Sequence, residues 1–212
     1  MSGLRVLAGC GLVLLLAGPA AAQAVEPIGL FAADARIAFP GFKQTKGVAD
    51  GLGVQTLDLP KRGFGLVFGA HLYPVRRGVV TLGIGGEVIA SRRGSTPEAD
   101  DNPSGPTVIT RFTSVSPQIS LNFGSKQGWS YISGGVGVGR FSTELESSTP
   151  TESAPRIQVI NYGGGARWFT TRHTAVSMDL RFYAVNPQEA TAGRPAQPRM
   201  TILTFSVGVG FK

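Results

Sequence analysis

Eight stretches of this chain place apolar residues at every second position against small or polar ones, and no helical spacing persists beside them. Successive side chains of a strand point to opposite faces, so each stretch makes a ribbon with one apolar and one polar face. The first, Ile28 to Phe39, sets Phe31, Ala33, Ala35, Ile37 and Phe39 against Asp34 and Arg36. The second, Phe64 to Tyr73, aligns Phe64, Leu66, Phe68, Ala70 and Leu72. The third, Val79 to Ser91, aligns Val80, Leu82, Ile84 and Val88, with Glu87 on the other face. A fourth, running to Phe123, opposes Val115, Ile119, Leu121 and Phe123 to Ser116, Gln118, Ser120 and Asn122. The fifth, Trp129 to Phe141, carries Ile132, Val136 and Val138 against Ser133, Gly135, Gly137 and Gly139. The sixth, Ile157 to Phe169, carries Ile160, Tyr162, Ala166 and Trp168 against Asn161, Gly163, Gly165 and Arg167. The seventh, Thr174 to Val185, presents Val176, Met178, Leu180 and Phe182 opposite Asp179 and Arg181, and the eighth, Thr201 to Phe211, rows up Leu203, Phe205, Val207, Val209 and Phe211. Each has close to the ten or so tilted residues with which a strand crosses a bilayer.

The connections test the topology independently. Three are tight, at 74–78, 124–128 and 170–173, and four longer ones, rich in Gly, Pro, Ser and Thr, fall near 40–63, 92–106, 142–156 and 186–200. Short turns at one end, long loops at the other and an even strand number describe a barrel across an outer membrane, with the short turns and both termini in the periplasm. The expected fold class is all-β, an eight-stranded antiparallel up-and-down transmembrane β-barrel over residues 25–212.

The N-terminus agrees. Arg5, the apolar run Val6 to Leu16 and Ala22-Gln23-Ala24 form a secretory signal expected to end at Ala24. The run is too short to span a membrane as a helix. Leu7-Ala8-Gly9-Cys10 imitates a lipoprotein box, but it precedes most of the apolar core that it should follow. Loss of Cys10 with the signal leaves no cysteine for disulfides, thiol catalysis or metal binding. Only 16% of the residues are charged, too few to cover a soluble surface comfortably but ample for a wall facing lipid.

Three passages, Tyr131-Ile-Ser-Gly-Gly-Val-Gly-Val-Gly139, Asn161-Tyr-Gly-Gly-Gly-Ala-Arg-Trp-Phe169 with Met178-Asp-Leu-Arg-Phe-Tyr183, and the alternating C-terminal strand, carry a resemblance. The chain resembles the small eight-stranded outer-membrane barrels of the outer-membrane protein A, protein X and opacity-protein kind, over essentially all of 25–212. The resemblance implies residence in the cell outer membrane and insertion by the outer-membrane assembly machinery. That machinery reads the C-terminal strand, here departing from the usual terminal Phe by the added Lys212. It implies architecture, not an activity.

The polar rows supply the candidate site residues. Asp34, Arg36, Glu87, Arg167, Asp179 and Arg181 all point inward, and an eight-stranded barrel is barely wide enough for its own side chains. Buried charge must be paired, so these six are expected to form an ionic plug, with Arg167 and Asp179 on diagonal cross-strand positions. Arg111 and Arg140 have the opposite parity and fall nearly opposite one another on the lipid-facing row at its outer end, where lipopolysaccharide phosphates would supply anions. A bulge at Pro117 would instead turn them inward.

Without the signal the formal net charge is +6, from 19 Lys and Arg against 13 Asp and Glu, and the excess falls in the tight turns and at the C-terminus, in Arg76, Arg77, Lys126, Arg172 and Lys212, where inner-leaflet head groups await. Aromatic girdles are expected from Phe31, Phe123, Trp129, Tyr131, Trp168 and Phe211 below and from Phe39, Phe64 and Phe112 above. Basic grooves interleaved with aromatics are lacking, so no nucleic-acid partner is expected. Outer-membrane lipids, including lipopolysaccharide, and the assembly machinery are the expected partners; the external partner is unknown.

The expectation for function is a structural, adhesive or surface-interaction role without an open pore, enzymatic activity, metal or cofactor. Two alternatives accompany it. One is a lipid A-modifying enzyme: some small outer-membrane barrels act on lipid A with a His and Ser pair on the outer wall near the outer rim, a pattern that neither His71, which points inward, nor His173, in a periplasmic turn, matches. A secreted lipocalin-like barrel would turn the apolar rows inward onto a ligand.

Overall fold

A computed structural model describes residues 27–99, 102–103, 105–147, 153–191 and 194–212. The signal segment, its cleavage site and Cys10 lie outside the described residues. Eight strands close into one antiparallel barrel: β1 (Phe31–Gly41), β2 (Phe64–Arg77), β3 (Val80–Ser95), β4 (Val108–Ser125), β5 (Gly128–Leu145), β6 (Ile157–Phe169), β7 (Thr174–Val185) and β8 (Met200–Phe211). Each strand pairs with its neighbours in sequence, and β1 closes the cylinder on β8 from Ala33 opposite Phe211 to Gly41 opposite Leu203. Because the side-chain period is two, this closure forces all eight apolar rows onto one wall.

That wall is the outside. Phe68, Ile119 and Val138 are each more than half exposed, while Asp34, Ser116, Asn122 and Asn161 are buried. The lumen is thus polar and its exterior apolar, the reverse of a lipocalin, and the lipocalin-like alternative fails. The long strands β3, β4 and β5, of 16, 18 and 18 residues, exceed the nine to eleven needed to cross a bilayer and project beyond its outer face. A short helix, α1 (Lys46–Leu52), leans on this projection: Val48, Ala49 and Leu59 of the first long loop cluster with Val108 and Leu145.

Several expectations need correcting. Trp129, Tyr131 and Phe112 are not girdle residues; they point into the lumen and are 2%, 4% and 0% exposed. The tight turn between β4 and β5, which pairs Ser125 with Gly128, puts odd-numbered β5 residues inside. Large rings there fill space left by lumenal glycines. A Cβ on Gly83 would lie 2.9 Å from the Tyr73 ring, and one on Gly165 would lie 2.7 Å from the Tyr131 hydroxyl. Pro117 makes no bulge, since Val115 opposite Val138 and Gln118 opposite Gly135 keep one register across it. The register shift falls instead between Leu72 and Val75, around Pro74, which has no N–H for the ladder. Ile28 is not in the first strand; its side chain, 1% exposed, tucks under the periplasmic mouth beside Tyr73 and Trp129.

Candidate functional site

The six inward charges meet at mid-barrel. Arg36 is the hub: its Nε lies 2.7 Å from Asp34, and its terminal nitrogens lie 2.5 Å from Glu87 and 3.4 Å from Asp179. Arg181 reaches Asp179 at 2.9 Å and Glu87 at 3.5 Å, and donates to Ser133 and Asn161. Arg167, from the far wall, ion-pairs with Asp34 and lies 4.6 Å over the Tyr131 ring. Arg167 and Asp179 do occupy diagonal positions, with Arg167 opposite Ser177 and Gly165 opposite Asp179, yet they are not partners. Arg167 crosses the lumen to Asp34, and Asp179 turns to the other two arginines.

Three guanidinium groups and three carboxylates make this layer formally neutral, and each of the six residues is 5% exposed or less. Buried ion pairs are tolerated when their geometry and supplementary hydrogen bonds replace hydration. Tyrosines provide much of that replacement here. Tyr131 donates to Asp179 at 2.8 Å, Tyr183 donates to Glu87 at 2.5 Å, and Tyr73 accepts from Arg167 at 3.3 Å. Parity alone could have found them, because Tyr183 shares a face with Asp179 and Arg181.

Apolar layers close the lumen on both sides of the charges. Toward the periplasm, Trp129 stacks on Phe169 with ring centroids 5.1 Å apart and meets Tyr73 edge-on at 5.8 Å, above Ile28. Toward the outside, Phe112 contacts Tyr183 at 5.3 Å, and Phe42, Phe141 and Ile202 complete the layer. His71 is lumenal, 6% exposed, and neither ring nitrogen has a hydrogen-bond partner among the described residues. His173 lies in the periplasmic turn with Nδ1 3.1 Å from the Lys212 carbonyl oxygen. Neither histidine stands on the outer wall.

The two arginines of opposite parity part company. Arg111 sits across from Arg92 and Ser142 and ion-pairs with Glu144, which also holds Arg194 from the last long loop at 3.2 Å. Arg140 is exposed, pairs across the sheet with Thr113, and has no acidic partner among the described residues. It stands next to Gly139, whose partner Ile157 follows the exposed Arg156. Arg92, also exposed, has Glu146 at 3.7 Å as its one acidic partner among the described residues. The outer rim over β3 to β6 therefore presents an arginine fan, in which Arg111 is tied to a buried carboxylate and Arg92 to an exposed one.

Comparison with solved structures follows the geometry. The chain is similar to Neisserial surface protein A, at 12% identity over 88% of this chain and 99% of that one, with a TM-score of 0.56. It is similar to Ail, the attachment invasion locus protein of Yersinia pestis, solved with the heparin analogue sucrose octasulfate, at 13% identity over 86% of this chain and 99% of Ail, with a TM-score of 0.50. The fold is that of the small eight-stranded outer-membrane barrels. The outer-membrane protein OprG from Pseudomonas aeruginosa also matches, at 11% identity over 88% of this chain and 97% of that one, with a TM-score of 0.49. No family model and no curated protein sequence matches the chain. At these identities the barrel's likeness to its neighbours is one of architecture, and what the barrel does has to come from its own surfaces.

Proposed function

We propose that this barrel, exported by its N-terminal signal and inserted by the outer-membrane assembly machinery, serves as a structural or adhesive surface-contact protein that works at its outer end. The observation that supports this reading is the filled lumen: a neutral ionic layer between two apolar layers leaves solutes no route. In this reading the outer end does the work. The projecting β3 to β5 sheet carries the α1 loop on one flank, and Arg194 and Gln188 of the last long loop bond to Glu144 and to the Phe141 carbonyl. No catalytic role is proposed for either histidine.

The arginine fan narrows the lipid partner. In this reading Arg140, with Arg156 across the neighbouring strand pair, is the arginine that meets a lipopolysaccharide phosphate, while Arg111 is held by Glu144. The Ail complex, in which a barrel of this fold holds a sulfated saccharide analogue, makes anionic saccharides the first soluble ligands to try. Planar-bilayer recordings of the refolded chain should show no steady conductance, and replacing 43–61 with a short Gly-Ser linker should abolish cell or glycan attachment. Porin-sized steady currents would overturn the reading. Arg140→Ala should lower the lipopolysaccharide that copurifies, and unchanged retention in Arg111→Ala, Arg140→Ala would remove the lipid contact.

A further inference from the structure

The periplasmic end of the barrel has a groove of about 550 Å³, edged by the segment 27–31 and by Arg76, Lys126, Arg172, His173 and Lys212. It holds no acidic side chain among the described residues. Lys212 and Lys126 are engaged with one another, since the Lys212 ammonium donates to the Lys126 carbonyl and lies 3.6 Å over the Phe169 ring. Arg76 and Arg172 are exposed and make no ion pair with a described residue. The lip on the lipid side is apolar: Leu30 and Phe31 are 75% and 52% exposed.

A second hollow, of about 560 Å³, shares Phe31 with the first and climbs the lipid-facing wall over Ala33, Ala70, Leu72 and Ile84. Ala33 and Ala70 are direct cross-strand partners, so two small side chains lie side by side between Phe31 and Leu72 below and Phe68 above. The strand pattern thus hollows the wall just above a cationic rim. Together the two hollows have the polarity sequence of one molecule: an anionic head at the interface and an acyl chain leading away into the bilayer.

We propose that this two-part groove binds one anionic phospholipid of the inner leaflet, its phosphate between Arg76 and Arg172 and an acyl chain along Ala33 and Ala70. Diffuse attraction of basic residues to an anionic leaflet needs only the cations. The wall hollow, which a diffuse layer of counter-charge does not require, argues for a held molecule. A soluble anion would likewise use the arginines and ignore the alanines. The inference rests on the transmembrane orientation and not on the role proposed for the outer end.

The test uses the whole mature chain, refolded in mixed micelles containing equal phosphatidylglycerol and phosphatidylcholine, exchanged into lipid-free detergent and weighed by native mass spectrometry. About one phosphatidylglycerol per barrel should remain, at least tenfold over phosphatidylcholine. Arg76→Gln, Arg172→Gln should cut that retention about tenfold, and Ala70→Leu, which leaves every charge in place, should cut it at least threefold. Equal retention of the two lipids, or retention unchanged in either variant, overturns the proposal. Heat-modifiable gel mobility of each variant separates loss of the site from loss of the barrel.

Discussion

Replacing Arg167 with methionine probes the lumenal charge layer where its wiring is simplest. Arg167 is 1% exposed, has one carboxylate partner among the described residues, Asp34, and accounts for one of three positive charges against three negative ones in the layer. Removing one member of a buried pair typically costs about 3 to 5 kcal/mol, because an uncompensated charge is left behind. Asp34 keeps its contact with Arg36 at 2.7 Å, so the lower figure, about 3 kcal/mol, is expected, more than a hundredfold in the folded-to-unfolded ratio. Asp34→Asn should cost a similar amount by leaving an excess cation. The double variant Asp34→Asn, Arg167→Met restores neutrality, so its cost should fall short of the sum of the single costs by about 1 to 3 kcal/mol. Urea unfolding in lipid vesicles, followed by the fluorescence of Trp129, whose ring centroid lies 6.0 Å from the guanidinium carbon, reads all four proteins. Single variants that each lose less than about 1 kcal/mol, or costs additive within about 0.5 kcal/mol, would refute a coupled buried layer.

Other consequences of the packing can be checked by simpler means. Trp168 is 53% exposed on the lipid face and Trp129 is 2% exposed in the lumen, so brominated lipids should quench Trp129→Phe strongly and Trp168→Phe hardly at all; equal quenching would mean the rows are misassigned. Gly165→Val should lower stability by about 1 to 3 kcal/mol through overpacking, since its Cβ would press on the Met178 carbonyl and the Tyr131 hydroxyl, and an unchanged urea midpoint would show the lumen is looser than described. Phe112→Ala, at a fully buried ring, should cost about 3 to 5 kcal/mol yet admit no steady current, because the charges beneath it still block the lumen. Current through that variant would place the seal in the aromatic layer alone.

Legibility in the sequence followed the physics of each feature. Period-two patterning is local and survives in every strand, so Ile157 to Phe169 and Thr174 to Val185 could be bounded to the residue. The six lumenal charges were legible for the same reason, as departures from a polar row that is otherwise small. Their pairing was not, because Arg167 meets Asp34 across 133 positions of sequence, and which residues face one another across a lumen depends on the stagger of the closed barrel. Trp129, Tyr131 and Phe112 were misplaced because amphipathic rings fit a membrane interface and a narrow lumenal mouth equally well by type. Parity decides between them, since Phe112 shares a row with Ser116 and Gln118, and Trp129 and Tyr131 share one with Ser133 and Gly135. The length of β3 to β5 was hidden by their upper parts, where Arg92, Arg93 and Glu144 read as loop but sit on paired strands above the bilayer.

Every strand lies beside its neighbour in the chain, and the first and last strands meet with Ala33 opposite Phe211. The order of the strands around the cylinder is therefore a closed circle with no privileged starting point. The polypeptide could be joined across the periplasmic edge and reopened at the tip of any of the four long loops, with every rung of the ladder preserved. What the circle does not carry along is the marking of a last strand, so on the reading that an assembly machinery recognises the C-terminal strand, each such permutant would offer it a different one. In this architecture the shape belongs to the ring, while the direction in which it is read belongs to the chain end.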